Sequence, residues 1–284
     1  MHEPTNYKKT VSILGCGWVG LPLAELLISR GYFVRGSTTS SEKIQLLSAK
    51  GIEPYLLDIH NPPADSSGFY DCDILIVSVP PSLRKGVAGD DYVEAMTRAA
   101  RQALKDKARQ VVMISSTGVY PDTNGKVTEE TPTATDDRSQ VLYRAEEAWR
   151  NAFPERSIIL RSAGLMGANR IPGKYFTGKK GLTTGQVPVN YIHRRDLVNI
   201  LAKFCEGDCC FPGTFNAVAP EHPTRKEVYL RNSEQFGFEK PEFNADGRSD
   251  YKVVNGDKLR DELTYTFEYP DPLTFTYEPS AQQP

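Results

Sequence analysis

The sequence has no long apolar run and no block of like charges. No apolar stretch in its 284 residues approaches the roughly 20 residues that a membrane-spanning helix requires. The 34 lysine and arginine residues nearly balance the 36 aspartate and glutamate residues, and the formal net charge is −2. We therefore expect neither a nucleic-acid-binding surface nor a surface for anionic membranes.

Cysteine is also scarce, and its arrangement suggests no disulfide framework. The chain has five cysteines, an odd number without a regular spacing. Reduced thiols fit this pattern better than disulfides do. The opening stretch, MHEPTNYKK, lacks the apolar region of a secretory signal. These absences together predict a cytoplasmic protein.

Short strand-like runs alternate with helical patterns over roughly the first 160 residues. The run TVSILG (10–15) predicts a strand, and LPLAELLISRGY predicts a helix with Gly31 as its stop signal. The run CDILIVSVP (72–80) is almost entirely apolar, which is typical of a parallel strand buried on both faces. The fold class predicted by this alternation is α/β, with a doubly wound parallel Rossmann sheet.

The composition changes after Gly164. The following stretch is rich in glycine, lysine and threonine and predicts a loop, after which strand and helix patterns return. We predict a Rossmann domain over residues 8–165, to which about 189–219 returns. The remaining residues, 166–284, would form a smaller, partly interleaved α+β substrate lobe and a frayed tail.

Three glycines follow the first predicted strand and lead directly into a helix. Gly15, Gly17 and Gly20 form G-x-G-x-x-G around Trp18 and Val19. In dinucleotide-binding proteins the first glycine permits a tight turn, the second lets the pyrophosphate approach the backbone, and the third allows close packing of helix on strand. The helix N-terminus favours the phosphates. The pattern predicts dinucleotide binding, and the alternative is a tight turn without a ligand.

The end of the second predicted strand distinguishes NAD from NADP. A carboxylate at this point accepts hydrogen bonds from the ribose 2′-hydroxyl of NAD. This chain instead has VRGSTTSSEK, with no acid before Glu42. Donors are available without a repelling carboxylate, which favours NADP over NAD unless the stretch is only a solvated loop. The donor residues are Arg35, Ser37, Thr38, Thr39 and Lys43.

The glycine loop, LLDI, ISSTGVY and YIHRRDL occur in the order found in a known family. With these motifs the chain resembles the extended short-chain dehydrogenase/reductases, which include NAD(P)-dependent epimerases and dehydratases acting on nucleotide sugars. The resemblance runs from about Val11 to Pro272. Within that group GWVGLPLA, SSTGVY and FEYPDPL are similar to the atypical YeeZ-like bacterial proteins. One departure is Leu14, which stands where extended members have the first glycine of G-x-x-G-x-x-G.

The resemblance implies roles for residues near the cofactor. Asp58 would meet the adenine, and Ser78, Val79 and Pro80 would line the path to the nicotinamide. Ser115 and Ser116 would border the cofactor as well. Ser116, four residues before Tyr120, would be the catalytic serine, with Tyr120 as a further hydroxyl near the reaction.

The resemblance also implies a set of residues that border the substrate cleft or fix the lobe covering it. These are Arg161 to Gly164, Lys174, His193 and Asp196. For His193 two roles are open, general acid/base catalysis or a structural hydrogen bond between lobes. Tyr120 and Tyr191 also have two possible roles, because each could offer a hydroxyl or pack as a half-buried aromatic ring.

The usual Tyr-x-x-x-Lys pair of this family is missing at its expected place. A tyrosine with a pKa of about 10 needs a shift of roughly 3 units, about 4 kcal/mol, to act near neutrality, and the lysine one turn later helps to provide it. If Glu146 matches the glutamate that follows the pair, the two positions hold Arg138 and Leu142. Arginine keeps its proton in proteins, and leucine cannot hold a ribose. Tyr143 lies about 140° around the helix from Arg138 and is predicted to pack.

Two other patterns have simpler explanations than chemistry. A Tyr-x-x-x-Lys does occur as YFTGK (175–179), but it contains a glycine and lies in a loop-like region, so we interpret it as a chance match. Cys205, Cys209 and Cys210 lack a nearby histidine, and buried thiols explain them better than a zinc site. No metal is predicted.

Two functions remain open from the sequence. The first is an NADP-dependent oxidoreductase or epimerase-like enzyme, with NAD as the alternative cofactor, that acts on a small polar or sugar-like molecule as a monomer or homodimer. The second is a catalytically inactive NADP-binding sensor or scaffold. Ser116 and His193 favour the enzyme, whereas Arg138 and Leu142 favour the sensor.

Overall fold

The computed structural model of the protein describes residues 9–62, 67–81, 89–206, 212–244 and 246–278. Its strands are numbered here in chain order. They are β1 (Thr10–Leu14), β2 (Phe33–Thr38), β3 (Glu53–Leu56), β4 (Ile74–Val77), β5 (Gln110–Ser116), β6 (Gly125–Val127), β7 (Ser157–Ser162), β8 (Gly164–Met166), β9 (Tyr191–His193), β10 (Gly213–Ala217) and β11 (Lys252–Val254).

The helices lie between these strands along the chain. They are α1 (Gly20–Ser29), α2 (Glu42–Ala49), α3 (Ser67–Tyr70), α4 (Gly89–Lys105), α5 (Asp137–Ala152), α6 (Arg194–Cys205), α7 (Arg225–Phe236) and α8 (Asp257–Leu263). Short 3-10 helices cover Thr117–Val119, Pro172–Phe176 and Pro272–Thr274. In the part of the chain that the structure describes, no helix is both long and apolar enough to cross a membrane.

A seven-stranded sheet is the centre of the fold, in the order β10-β7-β5-β4-β1-β2-β3. The pairs β1·β2, β1·β4, β2·β3 and β4·β5 are parallel. The order reverses between β1 and β4, as in doubly wound nucleotide-binding folds. The predicted fold class is therefore confirmed.

The apolar sequences of the strands explain why they form and where they are buried. All four residues of β4 are buried, as expected for a parallel strand covered on both faces. Helices α4 and α5 pack on each other, and Trp149 of α5 stacks on Phe153, which follows the helix, with their ring centroids 6.2 Å apart. Helix α1 ends at Ser29, and Gly31 follows with a φ of +86°. The predicted stop signal is confirmed, because this left-handed conformation favours glycine.

Two small parallel sheets lie outside the central one, β6 with β11 and β8 with β9. The prediction of a loop after Gly164 was too simple, because β8 and the 3-10 helix Pro172–Phe176 lie in this stretch. Helix α7 begins with a capping box, in which Thr224 and Glu227 each bond the other's backbone N–H. It ends at Gly237, which has a φ of +69°.

The chain divides into two compact units. Unit 1 comprises residues 1–115, 135–160 and 198–214, and unit 2 comprises 116–134, 161–197 and 215–284. The division passes through β5 and β7 near their C-terminal ends and through β10 after its second residue. The functional domain boundaries given from the sequence, near 165 and about 189–219, stay a prediction.

Candidate functional site

The turn after β1 brings three strand ends of unit 1 together. Gly15 has a φ of +99°, and its N–H donates to the Ser37 hydroxyl at 2.8 Å. The N–H of Cys16 donates to the Ser37 carbonyl, also at 2.8 Å. A Cβ on Gly15 would lie 3.1 Å from the carbonyl oxygen of Ser78. Both the backbone conformation and the close approach of Ser78 therefore require glycine at position 15.

The other two glycines of the loop have opposite surroundings. A Cβ on Gly20 would overlap the carbonyl oxygen of Gly15 and would lie 3.0 Å from Ile13. Gly20 is thus needed for packing at the start of α1. Gly17 is exposed, and a Cβ built there would meet no atom within 4 Å. Packing within the protein gives no reason for glycine at this position, and the space over its backbone is open.

The start of α1 can accept an anion. No side chain caps its N-terminus within the described residues, and its first turn contains no acidic residue. Val19 is buried and Trp18 half-buried beside this turn. Free N–H groups and the helix dipole make such a terminus favourable for phosphate.

Arg35, in β2, uses part of its guanidinium within the protein. Nε pairs with Glu53 at 2.9 Å, and a second nitrogen donates to the Asp71 carbonyl at 2.5 Å. These bonds occupy two of its five N–H groups, and its expected role as a donor to the cofactor stays a prediction. The parallel register of β2 with β3 places Glu53 directly opposite Arg35.

The remaining polar residues after β2 divide into buried and exposed ones. Ser37 and Thr38 are buried, and the Thr38 hydroxyl accepts from the Ser40 N–H at 3.1 Å. Thr39 and Lys43 are exposed. The donors with access to solvent at this end of the sheet are therefore Thr39 and Lys43.

Asp58 and Ser78 to Pro80 follow β3 and β4 in unit 1. Asp58 is half-buried, and its carboxylate accepts from the His60 N–H at 2.9 Å. The Ser78 N–H donates to the Leu14 carbonyl at 2.9 Å, and the Val79 carbonyl accepts from the Tyr92 hydroxyl at 3.0 Å. Pro80 is exposed. The backbone of this segment is thus fixed beside the glycine loop.

Ser115 and Ser116 end β5 and differ in their contacts. The Ser115 hydroxyl is buried and donates to Glu146 at 2.6 Å. The Ser116 side chain is half-exposed, and its oxygen accepts from the Gly118 N–H at 3.0 Å. Because it accepts there, the Ser116 hydroxyl keeps its proton available for another partner.

Helix α5 carries the positions where the family's Tyr-x-x-x-Lys pair is expected. Arg138 is exposed near the start of the helix, and Leu142 is buried, with 6% of its surface accessible. Glu146 has no accessible surface, and Tyr143 is half-buried. A buried leucine supplies neither a proton nor a ribose contact. The chance match YFTGK is no substitute, because Tyr175 lies in a 3-10 helix with 56% exposure and Lys179 lies beyond that helix.

Tyr120 is anchored inside unit 2. Its hydroxyl donates to the Asn216 side chain at 2.8 Å and accepts from Arg161, also at 2.8 Å. The Arg161 guanidinium also lies 4.9 Å from the centre of the tyrosine ring. Burial raises the pKa of Tyr120, although Arg161 acts in the opposite direction. These contacts support a packing role, and Asn216 is a partner that sequence reasoning missed because it is 96 residues away.

His193 is also held inside unit 2. Nε2 lies 3.0 Å from the Thr276 carbonyl, and Nδ1 accepts from the Arg195 N–H at 3.3 Å. The ring packs 3.8 Å from that of Tyr269. Burial lowers the pKa of His193. Of the two roles left open by the sequence, this geometry favours the structural hydrogen bond.

Asp196 fixes the segment that follows α8. It has no accessible surface and accepts from the Tyr265 hydroxyl at 2.7 Å and from the N–H groups of Glu268 and Tyr269 at 2.8 and 3.0 Å. Burial raises the pKa of Asp196. The aspartate is therefore a structural anchor of unit 2.

The described cysteines are buried and unreactive. Burial raises the pKa of both Cys16 and Cys205 to about 12. Since the thiolate is the reactive form, neither thiol is activated near neutral pH. Cys209 and Cys210 lie outside the described residues. Among the residues that are described, no group of His, Cys, Asp and Glu side chains could hold a metal ion.

A polar cavity of about 480 Å³ lies within unit 2, and sequence reasoning did not predict it. Arg248 lines this cavity and is exposed. Its guanidinium pairs with no carboxylate in the described part of the chain. The Asp250 carboxylate is engaged by Asn124 at 2.9 Å. This volume is within the range of small-molecule sites. The cavity is lined by Asn124, Gln186, Val187, Gly247, Arg248, Ser249, Asp250 and Tyr251.

Comparison with known sequences places these features in a family. Residues 15–206 match the model of a family described as NAD(P)H-binding. Protein YeeZ of Escherichia coli K12 is 32% identical over 278 residues, which cover 95% of this chain and all of that protein. GDP-mannose 6-dehydrogenase of Pseudomonas savastanoi is 30% identical over 132 residues, which cover 41% of this chain and 30% of that protein.

Solved structures share the fold at low identity. A conserved protein of unknown function from Silicibacter pomeroyi has a TM-score of 0.72 at 22% identity, covering 94% of this chain and 96% of that one. UDP-glucuronic acid 4-epimerase from Bacillus cereus in complex with NAD has a TM-score of 0.74 at 16% identity, covering 93% and 94%. The chain therefore belongs to the NAD(P)H-binding family, and it shares the fold of these solved structures.

Proposed function

We propose that this protein is an NADP-dependent oxidoreductase or epimerase-like enzyme that acts on a small polar or sugar-like molecule. The observation that carries the proposal is the contrast within the glycine loop. Gly15 and Gly20 are required by the fold, whereas Gly17 is exposed with open space over its backbone. A glycine at this position lets a pyrophosphate come close to the backbone.

The residues of unit 1 fit the parts of the cofactor. The exposed backbone at Gly17 and the start of α1 after it would receive the pyrophosphate. Asp58 would meet the adenine. Ser78 to Pro80 would lie along the nicotinamide, and Ser115 would support this edge through its bond to Glu146.

NADP is preferred over NAD because of the groups after β2. Thr39 and Lys43 are exposed there, and the first acid is Glu42 in the first turn of α2. An ammonium at this place would attract the 2′-phosphate. Ser37 and Thr38 would contribute mainly by shaping the backbone, since both side chains are buried.

The bound cofactor would supply hydride chemistry, and the chain's own part centres on Ser116. Its hydroxyl accepts one hydrogen bond from Gly118 and can donate to a substrate oxygen. A donor held where negative charge develops is worth several kcal/mol to the reaction. The rest of the proton transfer cannot use Arg138 or Leu142, and Tyr120 and His193 are engaged within unit 2.

The cavity around Arg248 supports a polar substrate. Arg248 offers an unpaired guanidinium within the described residues, and the side chains of Gln186 and Ser249 add hydrogen-bonding groups. Such a lining favours a molecule with several hydroxyl groups or an anionic group.

Fluorescence titration with NADPH and NADH tests the cofactor, and a panel of nucleotide sugars, aldehydes and ketones tests the reaction. We expect NADPH to bind at least tenfold more tightly than NADH, and at least one panel member to be reduced or epimerised. Equal or tighter binding of NADH would refute the preference. Absence of binding by either nucleotide would refute the dinucleotide site itself.

A second candidate is a cofactor-binding sensor or scaffold without catalysis. It is favoured by Arg138 and Leu142, because an exposed arginine and a buried leucine stand where an acid/base pair is expected. In this case NADPH binds, no member of the panel reacts, and the cofactor changes the binding of another molecule. The panel and the titration together separate the two functions.

A further inference from the structure

A second cavity, of about 250 Å³, lies within unit 2 and shares no residue with the one around Arg248. Strands β6 and β11 form one wall, and the start of α8 forms another. The residues around it are Lys126, Val218, Pro220, His222, Val253, Val254, Asn255, Gly256, Asp257, Arg260 and Phe267.

Lys126 gives this cavity an excess of positive charge. It stands opposite Val253 in the parallel register of β6 with β11. Arg260 pairs with Asp257 at 2.7 Å, so these two lining charges offset each other. Within the described residues no carboxylate pairs with Lys126, and the lining therefore carries one net positive charge.

His222 contributes a hydrogen-bond acceptor. Nδ1 lies 2.9 Å from the Val189 carbonyl, and since a carbonyl only accepts, Nδ1 must carry the proton. Burial lowers the pKa of His222 and outweighs the Val189 carbonyl and Glu221, which act in the opposite direction, while Lys126 adds to the lowering. The ring is consequently neutral near pH 7, and its Nε2 is an acceptor that no hydrogen bond of the described residues uses.

Most of the remaining lining residues are apolar. Val218, Val253 and Phe267 supply hydrocarbon surface. A Cβ on Gly256 would lie 2.8 Å from a methyl group of Val218 and 3.2 Å from the Asn216 carbonyl. The backbone at Gly256 is therefore closely packed against Val218 and Asn216.

We propose that this cavity binds a small hydroxy carboxylate. The carboxylate pairs with Lys126, a hydroxyl donates to Nε2 of His222, and a short hydrocarbon tail packs against Val218, Val253 and Phe267. A fully ionised phosphate fits less well, because it has no donor for Nε2. The volume of about 250 Å³ is below the roughly 300 Å³ at which drug-sized sites begin, which suits a molecule of this size.

Three related probes test each contact without changing the protein. Leucic acid has the carboxylate, the hydroxyl and a branched tail; isocaproic acid lacks the hydroxyl; and the amide of leucic acid lacks the charge. In NMR titrations we expect leucic acid to shift the amides of residues 126, 218, 219, 221, 222 and 253–257, with a Kd of about 1 mM, near −4 kcal/mol. Each of the other two probes should bind about tenfold more weakly.

Two variants test which residue recognises the hydroxyl and which recognises the carboxylate. His222→Phe should abolish the preference for leucic over isocaproic acid, and Lys126→Met should abolish the preference for leucic acid over its amide. Lys226→Met, an exposed lysine on α7, should change neither. Absence of saturable shifts with leucic acid, or preferences that survive both substitutions, would overturn the proposal. Because neither residue belongs to the proposed cofactor site, the outcome is independent of NADPH binding.

Discussion

The hydroxyl of Ser115 lies 2.6 Å from a carboxylate oxygen of Glu146 and ties the end of β5 to the middle of α5. The other oxygen of Glu146 pairs with Arg150 at 3.0 Å, and Arg150 also donates to Thr214 at 2.9 Å. The carboxylate has no accessible surface. A buried charge is tolerated only when hydrogen bonds and a partner compensate its lost hydration.

We therefore predict that Glu146→Ala destabilises the protein strongly. The substitution leaves the Ser115 hydroxyl without its acceptor and Arg150 without its buried partner, and it should cost about 3 kcal/mol. Glu147→Ala is the matched control, because Glu147 pairs with the same Arg150 at 2.5 Å but is partly exposed, and its loss should cost less than about 1 kcal/mol. Urea unfolding measures both. Equal costs would contradict a special role of the buried pair.

The glycine loop gives a test that separates packing from binding. Gly20→Ala should destabilise the protein by about 1–3 kcal/mol because the new Cβ overlaps the Gly15 carbonyl. Gly17→Ala meets no atom within 4 Å and should change stability by less than about 0.5 kcal/mol. It should nevertheless weaken NADPH binding at least tenfold, about 1.4 kcal/mol. If folded Gly17→Ala binds NADPH like the wild type, the pyrophosphate does not lie over Gly17.

Lys43→Met tests the basis of the NADP preference. Lys43 is exposed at the start of α2, and an ammonium there attracts the 2′-phosphate that NADH lacks. NADPH affinity should fall about tenfold, about 1.4 kcal/mol, while NADH affinity stays the same. Lys105→Met, on the exposed face of α4, is the control in the same fluorescence titration. An equal loss of affinity for NADPH and NADH would show that Lys43 does not recognise the 2′-phosphate.

Ser116→Ala tests the proposed catalytic hydroxyl. We expect turnover of a substrate identified in the panel to fall by about 100-fold, because a donor at the developing charge is lost. NADPH affinity should stay nearly the same. The lost bond to the Gly118 N–H should cost about 1 kcal/mol of stability, which thermal unfolding can check. Thr123→Ala, a hydroxyl removed from the exposed surface, is the control, and equal turnover of both variants would exclude Ser116.

His193 should make stability depend on pH. Burial lowers its pKa in the folded protein, whereas the unfolded chain has a pKa of about 6.5. Below that value the unfolded state binds more protons, so the contribution present above it is lost as pH falls. Unfolding free energies measured from about pH 7.5 to about pH 5.5 should decline less for His193→Gln than for the wild type. His222 titrates in the same direction in both proteins, and identical slopes would contradict the prediction.

The sequence predicted the fold because the signals for strands and helices are local. The buried apolar run of β4 and the stop at Gly31 each depend on neighbouring residues alone. The same is true of the glycine loop, whose spacing identified the turn and the start of α1. These features can therefore be predicted from neighbouring residues, without information on contacts between distant parts of the chain.

Arg35 illustrates what the local sequence could not determine. Its place in β2 suggested a donor for the cofactor, and only the register of β2 with β3 shows that Glu53 stands opposite and pairs with it. Tyr120 and His193 likewise have their partners far along the chain, at Asn216 and Thr276. Whether Tyr120 and His193 are available for catalysis therefore depends on contacts with distant residues, which the local sequence motifs do not contain.

The sequence by itself determined the alternation of elements and the glycine loop, since both depend on residues that are close together in the chain. Only the tertiary structure decided which polar groups are free. Lys43 and Ser116 stay accessible, whereas Arg35 is partly engaged and Tyr120 and His193 are held by their partners. The reason is physical: burial of a polar group requires a partner, and the order and register of the strands select that partner.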